Sequence, residues 1–273
     1  MSDPLVYQLD QVSFAYGDGG PALDSVTLAI QRGESLALLG ANACGKSTLL
    51  ALLAGLLFPT SGNLSAFAEP LTEAALEHPE TAYAFRRRVG MMFQSSEVQL
   101  FCATVEEELA FAPLQLRLPP EQVRERVEDM LRLLEIEKLR DRSPQTLSGG
   151  EKKRVALGGL LTASPEVLLL DEPTAGLDPR SQQWLLELLS QLRAAGLTVV
   201  TASHDLDLAP EIADRAVILS EEHRILVEGP VRVVIADLDL LLEANLIHAH
   251  AHAHGSYRHV HPHLHGAWHE HEH

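Results

Sequence analysis

The sequence predicts an α/β fold. A β-rich segment comes first in the chain, and a mainly parallel sheet with helices packed on it follows. A helical insertion lies between strands of that sheet. Three observations carry this prediction. A glycine-rich loop stands between a short apolar strand and a helix, and later apolar strands each end in polar side chains. Helical segments separate those strands, which is the alternation expected of a sheet with helices packed on it.

Length, composition and charge narrow the function classes. A chain of 273 residues with 46% hydrophobic content suits one large α/β domain or two small ones. We expect a soluble protein, because residues 1–4 have no basic start of a secretory signal and no apolar run follows them. No apolar run in the chain approaches the roughly 18–20 residues of a spanning helix. The net charge of −17 argues against a nucleic-acid partner. Two cysteines, Cys44 and Cys102, fit a reducing cytoplasm.

Residues 5–39 are predicted to be mostly β. Alternation from Val6 to Ser13, a glycine-rich turn at Gly17–Pro21 and a run over Ala22–Ile30 give two strands joined by a turn. Tyr16 stands just before the turn. If it borders the glycine-rich loop, its ring can stack on adenine; a core or turn tyrosine explains it equally well.

The glycine-rich loop fits the phosphate-binding pattern G-x-x-x-x-G-K-[ST]. Its residues are Gly40, Ala41, Asn42, Ala43, Cys44, Gly45, Lys46, Ser47 and Thr48. The loop amides and the following helix N-terminus would cradle phosphates. Lys46 is predicted to reach the β- and γ-phosphates and Ser47 to ligate Mg²⁺, while Gly40 and Gly45 would leave room for the phosphates. Cys44 is either a small filler or an oxidation-sensitive thiol.

The next strand is predicted at Val89–Phe93, and Gln94 follows at its carboxyl end, where open α/β sheets bind ligands. Its amide oxygen could ligate Mg²⁺ or hold a water; a surface glutamine is the alternative. Before this strand, residues 64–83 suggest a strand and then an exposed acidic connection. After it, helices are predicted over 104–111 and 120–139.

A capped helix start is predicted at Ser148, with Glu151 as its capping-box partner. Gly149 and Gly150 leave the helix N-terminus open to an anion. The cations at 152–154 lie on the first turn, where positive charge opposes the helix dipole, so we expect them to face an anionic ligand or water. An ordinary N-cap is the alternative.

The apolar strand Val167–Leu170 ends in Asp171 and Glu172, a pattern that completes a P-loop NTPase. Asp171 is predicted to hold Mg²⁺ through water, and Glu172 to polarise the attacking water. His204 stands just past the next strand and could contact the γ-phosphate. A lone histidine is usually structural, but here three strands would deliver Lys46, Glu172 and His204 to one sheet edge.

The tail from residue 248 is a separate, low-complexity segment. Its histidines recur at alternate positions, which suits Ni²⁺, Co²⁺, Zn²⁺ or Cu²⁺, and we expect it to be disordered without metal. An engineered purification tag is the alternative. The histidines are His248, His250, His252, His254, His259, His261, His263, His265, His269, His271 and His273.

Together these motifs resemble the ATPase subunits of ABC transporters over about residues 5–245. In that resemblance Gln94 is the Q-loop, Leu147–Glu151 the family signature and His204 the switch histidine. Tyr16 matches the adenine-stacking aromatic. The remaining matches are the phosphate loop at 40–48, the Walker B strand at 167–173 and the D-loop at 175–178. Cys44 departs from the small Ala or Gly that is usual there.

The resemblance implies a P-loop NTPase (RecA-like) core with an N-terminal antiparallel β-subdomain and an inserted helical subdomain at about 95–150, all within residues 1–247. It also implies ATP and Mg²⁺ as cofactors, and a head-to-tail dimer with a second copy or a homologous ATPase. Each ATP would lie between the phosphate loop of one copy and Ser148, Gly149 and Gly150 of the other, with Asp178 from the D-loop nearby.

Membrane subunits at the cytoplasmic face of the cell membrane would be the partners of that dimer. The segments Val89–Phe101 and Thr104–Pro113 are similar to the ATPases of energy-coupling factor importers, nearest those for cobalt and nickel. The resemblance therefore implies the ATP-hydrolysing subunit of a divalent-metal importer, for cobalt or nickel. The alternatives are a soluble ABC ATPase outside transport and a metal-buffering protein with a regulatory nucleotide site.

Overall fold

The structure is a computed structural model and describes residues 4–254 and 257–264. Its strands are β1 (Leu5–Ala15), β2 (Pro21–Gln31), β3 (Ser35–Gly40), β4 (Ser61–Ala66), β5 (Glu69–Pro70), β6 (Val89–Met92), β7 (Val167–Asp171), β8 (Thr198–Ser203), β9 (Arg215–Leu219), β10 (Ile225–Pro230), β11 (Ile247–His254) and β12 (Tyr257–Leu264). Its helices are α1 (Lys46–Leu53), α2 (Glu73–Glu77), α3 (Pro79–Arg86), α4 (Val105–Gln115), α5 (Pro120–Leu133), α6 (Gly149–Leu161), α7 (Pro179–Ala194), α8 (Ala209–Ile212), α9 (Val231–Val234) and α10 (Leu238–Glu243).

Two sheets make up the framework. The larger has strand order β10-β9-β3-β8-β7-β6 and is parallel from β9 to β6, with β10 antiparallel at its edge. The smaller is antiparallel, in the order β2-β1-β4-β5. This arrangement, with helices on the parallel sheet, confirms the predicted fold class.

Helix α1 is buried because it runs between the two sheets. Leu49, Leu50, Leu52 and Leu53 are all inaccessible to solvent and join one apolar core with residues of both sheets. A second core fills the other face of the parallel sheet, beneath the helices of the insertion and α7. Strand β3 supplies side chains alternately to the two cores, which is why its four central residues, Leu36–Leu39, are all apolar.

Two predictions about helices need correction. The exposed acidic connection predicted within residues 64–83 contains helices α2 and α3. The Thr72 side chain caps α2 by accepting a hydrogen bond from the Ala75 amide. A threonine N-cap is a local signal for a helix start, and the acidic composition of the segment concealed it. Helix α5 ends at Leu133 instead of 139, because Glu135 adopts a left-handed φ of 57° that stops the helix.

The predicted disorder of the tail also differs from the structure. Strands β11 and β12 form a separate two-stranded antiparallel sheet, with His248 opposite His263, His250 opposite His261 and His252 opposite His259. An apolar or small residue at every second position is a strand pattern. The low-complexity composition of the tail favours disorder and conceals that pattern. His265, His269, His271 and His273 lie outside the described residues.

Within the described ranges, none of the helices has both the length and the apolar character needed to cross a bilayer.

Candidate functional site

The parallel strands bring four segments of the chain to one edge of the sheet. Strand order β3-β8-β7-β6 is preserved at the carboxyl ends, where Leu39 pairs with Ser203 and Asp171 with Ala202. Each strand is followed by one of the predicted site segments. The phosphate loop, His204, Glu172 and Gln94 therefore line up in the same spatial order.

These segments line a single cavity of about 540 Å³, within the range of small-molecule sites. Predicted site residues at its wall are Tyr16, Asn42, Ala43, Gly45, Lys46, Ser47, Thr48, Gln94, Asp171, Glu172 and His204. Gly40, Ala41 and Cys44 belong to the same loop but are not among the residues that line the cavity. Ser148, Gly149, Gly150 and Asp178 are not part of this wall.

The glycines of the phosphate loop have a different role from the one predicted. Gly45 has a φ of 111°, and a Cβ there would lie 2.4 Å from the Ala22 carbonyl oxygen. A Cβ on Gly40 would lie 2.5 Å from Cys44 Sγ and 2.7 Å from the Leu219 carbonyl oxygen. The protein itself therefore excludes side chains at both positions, whether or not phosphate is bound.

Lys46 closes the phosphate loop. It is 6% exposed, and its ammonium donates to the carbonyl oxygens of Gly40 at 2.8 Å and Ala41 at 3.0 Å. An ammonium has three N–H donors, so these two bonds leave capacity for a phosphate oxygen. The sequence could not reveal that the loop uses its own lysine as a brace.

Cys44 is a buried filler. It is 1% exposed and packs in the core with α1, and burial raises the pKa of its thiol although Lys46 nearby opposes the shift. The thiolate is the reactive species. Burial both shields the thiol from solvent and raises its pKa, and each effect favours the filler interpretation over oxidation sensitivity.

Asp171 has the properties of a cation ligand. It is 6% exposed, and its Oδ1 is buried without a hydrogen-bond partner among the described residues. Burial raises the pKa of this carboxyl, and the Ser47 hydroxyl and Lys46 oppose that shift. A buried carboxylate oxygen without a donor is costly, and Mg²⁺, which favours oxygen ligands, would satisfy it. Ser47 and Gln94 add oxygen donors to the same wall, so the residues present fit the ion.

Glu172 and His204 form a pair. His204 Nδ1 lies 2.9 Å from Glu172 Oε1, and the Glu172 side chain is 9% exposed while that of His204 is 51% exposed. Glu172 follows β7 with a φ of 46°, a left-handed conformation that is rare for a residue with a side chain. The structure thus brings these two predicted site residues together at one edge of the sheet.

An aromatic residue and a second histidine, Tyr16 and His223, also line the cavity. Tyr16 is 55% exposed, and its hydroxyl lies 3.2 Å from Thr48 Oγ1, so the ring borders the phosphate loop. His223 lies in the turn between β9 and β10, and its Nδ1 is 3.2 Å from the Cys44 carbonyl oxygen. Sequence reasoning missed His223, because a single histidine in a turn belongs to no motif.

The signature segment forms a capped helix start away from the cavity. Ser148 and Glu151 make both bonds of a capping box, as predicted. The Glu151 carboxylate accepts from the Ser148 amide and hydroxyl, and these two bonds lower its pKa. Gly149 has open space where its Cβ would be. Asp178 caps α7 by accepting from the amides of Arg180 and Ser181.

The expectation that the cations at 152–154 face an anionic ligand or water needs correction, because each contacts the protein. Lys152 pairs with Glu97 at 2.7 Å, and Arg154 lies 4.0 Å from the centre of the Trp184 ring. Lys153 is 9% exposed and donates to backbone carbonyls beyond Glu172. These contacts join α6 to three neighbouring segments.

Comparisons with known proteins agree with this geometry. A family model described as ABC transporter matches residues 23–175. The nickel import ATP-binding protein NikO of Rhodobacter capsulatus is 50% identical over 88% of this chain and 95% of its own length. The cobalt import ATP-binding protein CbiO of the same organism is 46% identical over 87% of this chain and 83% of its own.

Solved structures share the fold. cbiO1 from Clostridium perfringens, part of the transporter complex cbiONQ, superposes with a TM-score of 0.77 at 34% identity, covering 89% of this chain and 96% of its own. A dimeric ATP-binding cassette in a post-hydrolysis state with ADP and Pi gives a TM-score of 0.73 at 29% identity, covering 83% of this chain and 99% of its own.

Proposed function

Because this chain belongs to the ABC transporter family, whose model spans more than half of it, we propose that it powers the import of nickel or cobalt ions. It is an ATPase subunit that acts with membrane components and pairs as a dimer. The metal and the direction rest on the relatives named for nickel and cobalt import. The observation that carries the ATPase site is the contact of Glu172 with His204 in the cavity beside Lys46.

Glu172 is the proposed general base. Its carboxylate would take a proton from water as the water oxygen bonds to the γ-phosphorus, and the bond from that phosphorus to the bridging oxygen breaks to give ADP and phosphate. His204 would hold the Glu172 carboxylate through the 2.9 Å contact. Lys46 and the loop amides would stabilise the charge on the phosphates.

Mg²⁺, when bound, would neutralise phosphate charge. We propose Ser47, Gln94 and Asp171 as the residues that hold it, on the strength of the unpartnered Asp171 oxygen. Tyr16 is the proposed adenine platform, because its exposed ring borders the loop.

Ser148, Gly149, Gly150 and Asp178 are proposed to complete the nucleotide site of the second copy. They lie outside the cavity of their own chain, and the α6 N-terminus has open space at Gly149. A helix N-terminus with exposed amides suits the phosphates of a partner's ATP. Two composite sites per dimer follow from this pairing.

Replacing the base tests the catalytic assignment. We expect Glu172→Gln to lower the rate of phosphate release at least 100-fold with Mg²⁺ and membrane subunits present, and to accumulate an ATP-bound dimer on gel filtration. Glu187→Gln, on the exposed face of α7, is the matched control and should hydrolyse ATP normally. Wild-type hydrolysis by Glu172→Gln would remove Glu172 from the mechanism.

An exposed aromatic patch suits the membrane partner. Phe101 and Phe111 stack edge to face at 4.8 Å, and Phe101, Leu114 and Phe111 are 64%, 57% and 39% exposed. Apolar patches of this kind mark interaction sites, and this one lies on the insertion just past Gln94. We propose that the membrane subunit docks here, which would place the ATPase at the cytoplasmic face of the membrane.

Charge placed in the patch should break that contact. Phe101→Asp is expected to abolish co-purification with the membrane subunits while the fold is retained by circular dichroism. Val233→Asp is the control, since Val233 is 66% exposed on α9. Equal loss of partner from both variants would contradict docking at the patch.

The histidine tail is proposed to bind a transition metal ion. Three histidine pairs stand in register across β11 and β12, at His248/His263, His250/His261 and His252/His259. Alternate positions of a strand share a face, so the six positions fall on one face of this hairpin, and imidazole suits Ni²⁺, Co²⁺ and Zn²⁺. Elsewhere in the described chain no group of three potential ligands forms a metal site.

A permutation tests the register without changing composition. Exchanging His250 with Ala251 and His252 with Ala253 moves two histidines to the other face of β11. We expect Ni²⁺ affinity, measured by calorimetry on the full chain, to fall at least tenfold. Equal affinity of the wild type and the permuted chain would show that histidine content alone determines binding.

A further inference from the structure

The segment after Glu172 is held in an unusual backbone conformation. Glu172 has a φ of 46°, in the left-handed region that residues with a Cβ avoid unless their surroundings impose it. Its amide donates to the Ala202 carbonyl oxygen at 3.0 Å, which fixes the entry to the turn. Its carbonyl oxygen accepts from the Ala175 amide at 3.1 Å, which closes the turn over Pro173 and Thr174.

Lys153 reaches this turn from the signature helix. Its Nζ donates to the carbonyl oxygen of Pro173 at 2.8 Å and to that of Ala175 at 2.5 Å. The two acceptors lie on either side of Thr174, so one ammonium spans the turn that carries the Glu172 carboxylate. Buried carbonyl oxygens need such donors, and Lys153, at 9% exposure, is itself buried.

A buried ammonium is costly unless it is well paired. Burial lowers the pKa of Lys153, and the charge of Glu172 nearby opposes that shift. Its neighbours are used elsewhere: Lys152 contacts Glu97, and Arg154 donates to the Leu134 carbonyl oxygen. Among these three cations, Lys153 is the one placed at the catalytic turn.

We propose that Lys153 is a positioning residue for ATP hydrolysis: its two hydrogen bonds hold the left-handed turn that aims the Glu172 carboxylate, and they tie that turn to the signature helix. The inference rests on the proposed role of Glu172 as the base. Because α6 also carries the residues proposed to meet the partner's ATP, the same ammonium fixes the catalytic turn of one site to the signature segment of the other.

The test compares Lys153→Met, which keeps length and removes the donors, with Lys153→Gln, which keeps N–H donors without charge. Both are assayed as the complex with the membrane subunits. We expect Lys153→Met to lower kcat at least 20-fold with KM for ATP and the melting temperature little changed, and Lys153→Gln to restore part of kcat. Lys138→Met, which removes an exposed cation outside the site, should leave kcat unchanged.

A double-mutant cycle separates positioning from general damage. If Lys153 acts through Glu172, Lys153→Met should add less than threefold to the loss in Glu172→Gln, measured as single-turnover phosphate release. If the rate of the double variant falls by the product of the two single losses, or if Lys153→Met has the wild-type kcat, the proposal is overturned. Should Lys153→Met fail to fold, Lys153→Gln decides by the same cycle. Wild-type activity of Glu172→Gln would instead defeat the proposed function.

Discussion

At the scale of single residues, crowding by neighbouring protein atoms explains the glycines of the phosphate loop better than the space that a ligand needs. Gly45, the N-cap residue of α1, has a left-handed φ, and the Ala22 carbonyl oxygen occupies the place that its Cβ would take. The glycine is therefore required for the loop to pass β2, before any nucleotide binds.

Gly45→Ala should consequently damage folding as well as binding. A left-handed φ and overpacking each cost about 1–3 kcal/mol, so we expect the unfolding free energy to fall by about 2 kcal/mol or more and ATP binding to be lost. Chemical denaturation and binding of fluorescent ATP measure the two effects. Gly20→Ala is the control, because nothing lies within 4 Å of its Cβ position; an equal loss there would show that chain flexibility, not crowding, matters.

At the scale of elements, two helices begin with the same kind of capping box, but their N-termini have different roles. Thr104 and Glu107 cap α4, and Ser148 and Glu151 cap α6. The local chemistry is identical, but α4 starts within the insertion whereas α6 starts at the surface proposed to meet the second copy. The comparison separates the stability of a helix from the function of its N-terminus.

Thr104→Ala and Ser148→Ala should each lower the unfolding free energy by about 1 kcal/mol, the usual value of such a cap. Only Ser148→Ala is expected to weaken ATP-dependent dimerisation in the Glu172→Gln background, because Ser148 is proposed to contact the partner's ATP. Analytical ultracentrifugation with Mg-ATP provides the measurement. Equal weakening in Thr104→Ala would attribute the effect to helix stability.

At the scale of the whole molecule, one carboxylate joins distant parts at the end of the sheet opposite the cavity. Glu166 accepts from Arg88 and from Arg32, both at 2.5 Å. The Arg88 guanidinium also lies 3.4 Å from the centre of the Phe67 ring, next to the antiparallel sheet. The hydrogen bond from Arg88, and then that from Arg32, lowers the pKa of Glu166 although burial opposes the shift.

This pairing makes stability depend on pH in a defined direction. A carboxyl whose folded pKa lies below its unfolded value stabilises the fold above the unfolded pKa, about 4.3 for glutamate, and loses that contribution as the pH falls through the folded pKa. We expect Glu166→Gln to lower the unfolding free energy by about 1 kcal/mol at pH 7, the scale of a partly screened pair.

Urea titrations of wild type and Glu166→Gln at pH 7, 5 and 3.5 check this. The difference between them should be full at pH 7 and should shrink below about pH 4.3. Glu243→Gln is the control, since Glu243 is exposed on α10 and makes no ion pair within the described residues. A difference that persists undiminished at pH 3.5 would contradict the role of the Glu166 charge.

Those parts of the protein whose functional residues are contiguous in the chain were predictable from the amino-acid pattern alone. The phosphate loop, the carboxylates at the end of β7, the capping box at Ser148 and most strands could be read because backbone conformation and burial set those patterns over a few residues. Helices α2 and α3 and the hairpin of the tail were missed where composition concealed a cap or an alternation.

Which distant segments come into contact depends on how the chain folds. The order β3-β8-β7-β6 places His204 beside Glu172 across 32 positions of sequence, and folding brings Lys153 to the turn after β7 and His223 to the phosphate loop. Such contacts depend on strand order and on packing between distant elements. A sequence pattern, which reports only local periodicity and residue type, therefore could not contain them.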